Sequence, residues 1–185
     1  LKGNRFFIRL KKVMPMAATK IDQALQAITN EGLPNFFGFQ RFGRDKTNHI
    51  QGQEILEGKR KIRSKNLREL LINAYQSYLF NAWLSERIDF SHLVNNFNAN
   101  ELQAHHKIWE SDVYKTLKSQ TQFFKLLEGD VISHYPHGRL FNVEDESAEA
   151  ARFANKDITP TGLLSGTKVK ASTSRAFEIE KKYQY

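Results

Sequence analysis

From Arg5 to Val13 apolar and polar positions alternate: Phe6, Ile8 and Leu10 share one side, Arg9 and Lys11 the other. A period of two predicts a half-buried strand. The period then lengthens. Ile21, Ala24, Leu25 and Ile28 recur at i, i+3, i+4 and i+7, which predicts an amphipathic helix with Thr19 as its cap. Gly32 should end it and Pro34 prevent its return. Asn48–Glu57 predicts a second short helix, closed by Gly58. The longest helical pattern runs from Ser64, a suitable N-cap, to Ile88. Leu67, Leu70, Leu71, Ala74, Tyr75 and Tyr78 form one stripe, which Leu79, Phe80, Trp83, Leu84 and Ile88 widen until the helix is apolar nearly all round. Such a helix belongs at the centre of a domain.

Beyond it, Asn95–Asn98 suggests a polar linker. Ser111–Leu127 predicts a helix with Val113, Leu117, Phe124 and Leu127 inward. Asp130–His134 and Arg139–Val143 predict short strands joined by a Tyr-Pro-His-Gly turn. Ser147–Asn155 and Ser172–Lys182 predict helices, with Thr159–Gly166 a loop between them. No internal repeat or low-complexity tract interrupts this order. The pattern is α+β, strand first and then mainly helical, with a domain boundary near residue 60.

Composition narrows the chemistry. The chain has 185 residues and no cysteine, which removes disulfides, thiol catalysis and cysteine-ligated metals. No apolar run approaches the ~20 residues of a membrane span, and no secretory signal opens the sequence. The chain begins at Leu1 and stops after a charged helical stretch, so a piece of a longer protein is expected. Net charge is +8, unevenly placed: residues 1–70 hold 15 Lys+Arg against 6 Asp+Glu, and the remainder 13 against 14. The excess, notably Lys59, Arg60, Lys61, Arg63, Lys65 and Arg68, either forms a solvated helix start or faces a polyanion. Arg9, Lys11, Arg41, Arg44 and the Lys59–Lys65 run are the candidates for contact with such a polyanion.

The segment Pro34–Gly43 places Phe36, Phe37, Phe39 and Phe42 among Gly, Gln and Arg. Neighbours on an extended chain point oppositely, so these rings cannot all share a core. A Phe-rich central strand is one reading. The other is a nucleobase site, where an aromatic face stacks, glycine admits close approach and guanidinium holds phosphate. His105-His106 and the His134/His137 pair lack a supporting carboxylate array for a metal. Thr161-Gly162, Ser165-Gly166 and Thr167-Lys168 lack the spacing of a phosphate loop.

The string Asn35-x-Phe37-Gly38-x-Gln40-Arg41-Phe42-Gly43, preceded by Gly32-x-Pro34, resembles the signature of the TruD family of tRNA pseudouridine synthases. Leu1-Lys2-Gly3-Asn4-x-Phe6, Gln76-Ser77-x-Leu79-Phe80-Asn81 with Arg87, Gly129-Asp130, Pro160-Thr161-Gly162 and Leu164-x-Gly166 are similar to further landmarks in the same order. The resemblance implies part of a pseudouridine-synthase catalytic domain (a mixed sheet with helices) over residues 1–60. Residues 61–185 would be the mainly helical α+β insertion domain. It also implies isomerisation of uridine 13 in the tRNA D arm without a cofactor; no metal site and a cytoplasmic location are expected, and no protein partner is implied. Phe37 would stack on the target base and Asn35 would hold the catalytic Asp in its attacking pose. Gln40 would join the basic residues at the RNA. Phe36 is then expected in the core and Phe37 in a cleft.

Two elements of the family pattern are missing, the catalytic Asp motif and the later catalytic-domain strands that follow the insertion. The family's nucleophilic Asp stands in a Gly-x-Lys-Asp context upstream of the Lys-Gly-Asn-x-Phe strand. Of the seven Asp residues here only Asp157 follows a Lys, and no Gly occupies the required place. The expectation is an inactive segment of the enzyme; the alternative is a non-enzymatic RNA-binding module.

Overall fold

The computed structural model describes residues 5–106, 109–136, 138–166 and 169–185. The opening Leu1–Asn4 of the first landmark, His137 and the Thr167-Lys168 pair lie outside the described residues, as do the side chains of His105 and His106. By compactness the chain divides into Leu1–Pro34 and Asn35–Tyr185. Residue 60 therefore falls inside the second unit.

In the first unit the alternating segment does not become a strand. Residues 5–14 are irregular, and Phe6, Phe7, Ile8 and Leu10 stand open to solvent. A strand needs a neighbour for its backbone groups, and among the described residues of this unit there is none. Helix α1, Ala17–Glu31, forms as its periodicity predicts, but it starts before Thr19, which lies inside the helix. Gly32 closes it at φ 87°, its N–H donating to Ile28 O. No residue of α1 is buried.

The second unit holds the core. Helix α2, Asn48–Leu56, crosses α3, Lys65–Asn96, at unusually close range. A Cβ placed on Gly52 would run into the Leu71 carbonyl oxygen and lie 3.0 Å from Tyr75 Cβ, so only glycine fits. Ser64 caps α3 by accepting from Leu67 N–H. The helix runs eight residues past Ile88 and absorbs the start of the expected linker. Lys118 Nζ donates to Val94 O and Phe97 O at its C-terminal end, where carbonyls lack helical partners and a cation suits the dipole. Its apolar girdle is only partly covered. Leu71, Ala74, Tyr75, Trp83 and Leu84 are buried, whereas Leu67, Leu70 and Tyr78 remain exposed.

Helices α4, Ala99–His106, and α5, Ser111–Ser119, pack against α3. The apolar pattern gives no sign of α4. The helix expected to reach Leu127 stops at Ser119, because Gln120 turns extended and its side chain bonds across the loop to the Leu126 backbone. Strands β1, Val131–His134, and β2, Leu140–Asn142, form the expected hairpin. Helix α6, Glu146–Ala154, is capped by Asp145, whose carboxylate accepts from Ser147 and Ala148 N–H. Strand β3, Ile158–Pro160, takes up the start of the expected loop and completes an antiparallel sheet ordered β2-β1-β3. Helix α7, Ser174–Glu180, ends in a short 3-10 turn. The architecture is α+β. One core joins Trp83, Phe90 and Val94 of α3 to Leu102, Tyr114, Leu117 and Ile179; a smaller one lies on the sheet around Ile132.

Arg87 is fully buried beside the main core. Its guanidinium donates to both carboxylate oxygens of Asp130 and to Lys125 O, with Trp83 and Phe124 rings packed against it. Asp130 Oδ2 also accepts from Leu127 N–H at 2.8 Å. This pair ties the middle of α3 to the turn that opens the sheet.

Candidate functional site

The Phe-rich segment lies along α3 as irregular chain followed by a 3-10 turn, Phe39–Phe42. Asn81 holds it from the helix. Phe37 N–H donates to Asn81 Oδ1 at 2.9 Å, and Asn81 Nδ2 donates to Phe37 O at 2.9 Å. One side-chain amide thus satisfies both backbone groups of Phe37, as a neighbouring strand would. The Phe37 and Phe80 rings pack perpendicular with centroids 5.4 Å apart, and the Arg41 guanidinium sits 5.1 Å from the centre of Phe37.

The expected division between Phe36 and Phe37 comes out reversed in burial. Phe36 is 43% exposed, whereas Phe37 is half-buried. The reason is local: Phe37 is drawn in by Asn81 and Phe80, and Phe36 has no aromatic partner among the described residues. Phe39 is 74% exposed, with Lys46 Nζ 4.3 Å from its ring centre. Phe42 turns inward onto His49, which stacks on Tyr78 at 4.5 Å. Burial holds the His49 imidazole below its ordinary pKa, since the charged ring would lose hydration without an anionic partner. Gly43 takes φ 81° and lies against the Asn48 amide, which closes the turn onto α2.

Between the turn and the exposed start of α3 opens a cleft of about 460 Å³, lined by Gly38, Gln40, Arg41, Asn48 and Leu70. It combines a guanidinium, two amides and an apolar wall, groups suited to a base edge and a phosphate. Asn35 is exposed nearby in sequence, as is Arg44.

The basic run is less uniform than its sequence suggests. Lys59 pairs with Glu57 at 2.6 Å and Arg60 with Glu54 at 2.6 Å. Glu57 is accordingly held below the usual carboxylate range by hydrogen bonds from Lys59 and Gln53, and Lys59 is held up by Glu57. Lys65 lies 3.9 Å from Glu69. Among the described residues Arg44, Lys61 and Arg63 carry no ion pair. Arg9 and Lys11 are exposed in the first unit, where Arg9 lies over the Phe7 ring at 6.0 Å. In the sequence Asn81 stands out only as the last residue of the Gln76–Asn81 landmark; its place at the site comes from its two hydrogen bonds to Phe37.

Among the described residues no three His, Asp or Glu side chains converge as a metal site would require, and no helix is long and apolar enough to cross a membrane.

Comparison with known proteins turns on the same residues. The family model described as tRNA pseudouridine synthase D (TruD) matches residues 1–62 and 60–107, which include Asn35–Gly43 and Asn81. The chain belongs to the TruD family. It is 56% identical over 99% of its length to tRNA pseudouridine synthase D of a Nitratiruptor species, covering 51% of that protein. The corresponding proteins of Sulfurimonas denitrificans and Wolinella succinogenes are 50% and 46% identical, over 99% and 97% of this chain and 51% and 50% of their own length. The chain thus spans about half the length of the curated TruD relatives it matches.

Proposed function

We propose that this TruD chain belongs to an enzyme that converts uridine to pseudouridine at position 13 of the tRNA D arm, in the cytoplasm. Residues 1–60 belong in this reading to the catalytic domain and 61–185 to the insertion domain, with the α2–α3 crossing as their seam. The target base leaves the RNA stack. An Asp carboxylate attacks C1′ of the ribose as the N1–C1′ glycosidic bond breaks; the freed uracil turns, its C5 bonds to C1′ and expels the carboxylate, and C5 then loses its proton while N1 gains one. Phe37 stacks on the base, Asn35 orients the carboxylate, and Gln40, Arg41 and Arg44 face the RNA. The observation that carries the reading is the Phe37 ring, half-buried and backed by Arg41, within the matched family signature.

No Asp in the 185 residues stands in the family's Gly-x-Lys-Asp context, so the polypeptide by itself is expected to bind tRNA without turnover. The test compares this chain with the product of the complete reading frame, assayed for pseudouridine in unmodified tRNA. Turnover by the complete protein and none by the fragment is the expected pair of results. Pseudouridine formed by the fragment overturns the missing-nucleophile argument. A complete protein that binds tRNA but never isomerises it is an RNA-binding module instead.

A further inference from the structure

We infer that Asn81 is the positioning residue for the Phe37 ring, holding it at the angle and depth that base stacking requires. The inference rests on the role proposed above for Phe37 and extends it to a residue on a different element. Three observations lead to it. The Phe37 peptide lies outside any sheet, yet both its N–H and its C=O are engaged by one amide at 2.9 Å. That amide stands on an unbroken helix whose core-facing residues Trp83 and Leu84 are buried, so its own position is fixed by packing. The residue before it, Phe80, packs its ring perpendicular to Phe37, with centroids 5.4 Å apart.

Adjacent residues of α3 therefore fix the Phe37 backbone and one side of its ring together. With both backbone groups tied, the segment cannot slide along the helix without breaking two hydrogen bonds at once. The ring still keeps part of its surface open, which a purely packing phenylalanine would not need. Gly162 packs on the same support: a Cβ there would overlap both the Phe80 and Trp83 rings, so the loop after β3 lies directly against the ring that supports Phe37.

The experiment is a double-mutant cycle on the full-length enzyme with unmodified tRNA, using Asn81→Leu, Phe37→Ala and the pair. Asn81→Leu removes both hydrogen bonds while keeping the branched shape and the number of side-chain heavy atoms. It should lower kcat on the order of 100-fold, the scale for a group displaced by about 1 Å. The KM for tRNA should stay within about threefold, because phosphate contacts dominate affinity. In the Phe37→Ala background the same change should cost under about threefold, since Asn81 acts through a ring no longer present. Hydrogen exchange at the Phe37 amide should rise in Asn81→Leu.

If Phe37→Ala turns over normally, the stacking role itself falls, and this inference with it. If Phe37→Ala is impaired but Asn81→Leu is not, or if the two losses are independent, stacking stands and the positioning role is overturned. Should Asn81→Leu fail to fold, the cycle is run with Asn81→Asp. That variant keeps an acceptor for Phe37 N–H and turns a carboxylate oxygen on Phe37 O, so it should lose kcat in the same coupled way; independent loss overturns the inference.

Discussion

Truncating Asp130 to alanine leaves the Arg87 guanidinium, fully buried in the native structure, without its counter-charge. Lys125 O still accepts from Nη2 at 2.8 Å, and the Trp83 and Phe124 rings still lie 5.7 and 4.8 Å from the guanidinium carbon. Neither replaces a carboxylate that met two nitrogens. Breaking a buried pair from one side costs about 3–5 kcal/mol. The freed Leu127 N–H, which donated to the same carboxylate, adds roughly 1 kcal/mol. Asp130→Ala should therefore destabilise by ~4–6 kcal/mol, a fall in Tm of roughly 8–24 °C at this chain length. Asp130→Asn should cost less, since it keeps an acceptor. Arg87→Met alone strands the carboxylate and should cost about as much as Asp130→Ala. The pair of substitutions should cost less than the sum of the singles by ~3 kcal/mol, because no charge is then left buried. Urea melts followed by tryptophan fluorescence suit the measurement, as the Arg87 guanidinium lies over the Trp83 ring. A cost below ~1 kcal/mol for Asp130→Ala, or strict additivity, would mean that water reaches the guanidinium and that the pair is not what joins α3 to the sheet.

Trp83→Ala should cost ~3–5 kcal/mol, whereas half-buried Leu79 should cost only ~1–2 on truncation; equal losses in thermal melts would show that α3 is covered on both sides. Because burial lowers the His49 pKa, the unfolded chain binds its proton first as pH falls below 6.5. Stability should decline from there until the folded pKa is passed, and His49→Phe should flatten that part of the pH–stability curve; an unchanged slope refutes the assignment. tRNA affinity should fall steeply with salt, and replacing Lys61 or Arg63 by Ala should reduce the log–log slope by ~1 each, with a smaller change for Lys59 or Arg60, already paired to Glu57 and Glu54. Equal slope changes at all four would mean that those ion pairs open freely on binding.

The helical period of residues 65–88 was enough to locate α3, because its repeat records packing on the same chain. Periodicity at residues 5–13 records a different fact. Alternating Phe6, Ile8 and Leu10 mark a strand only where another strand offers its backbone, and none is present among the described residues of that unit. The early end of α5 was hidden for the opposite reason. Leu117, Phe124 and Leu127 keep a helical rhythm, yet the Gln120 side chain bonds both backbone groups of Leu126, six residues on, and holds the intervening chain as a loop. At the site, the unusual aromatic run was visible directly, but which ring turns inward was not. That choice is made by Asn81, 44 residues away. The ion pairs that temper Lys59 and Arg60 depend on α2 bringing Glu54 and Glu57 round beneath them.

Helix α3 has a mechanical consequence through its length. Thirty-two residues at 1.5 Å each make a beam of about 48 Å. Asn81 stands near its midpoint, 15 residues from Asn96. A tilt of 1° about that point moves the far end by about 0.4 Å, since the arm is about 22 Å long. Read in reverse, the beam is a reduction gear. A displacement of an ångström at the Val94 end, where α5 and Lys118 grip it, arrives at the Phe37 fastening as a small rotation rather than as a shift. Sequence drift in the distal packing is thereby scaled down before it reaches the ring.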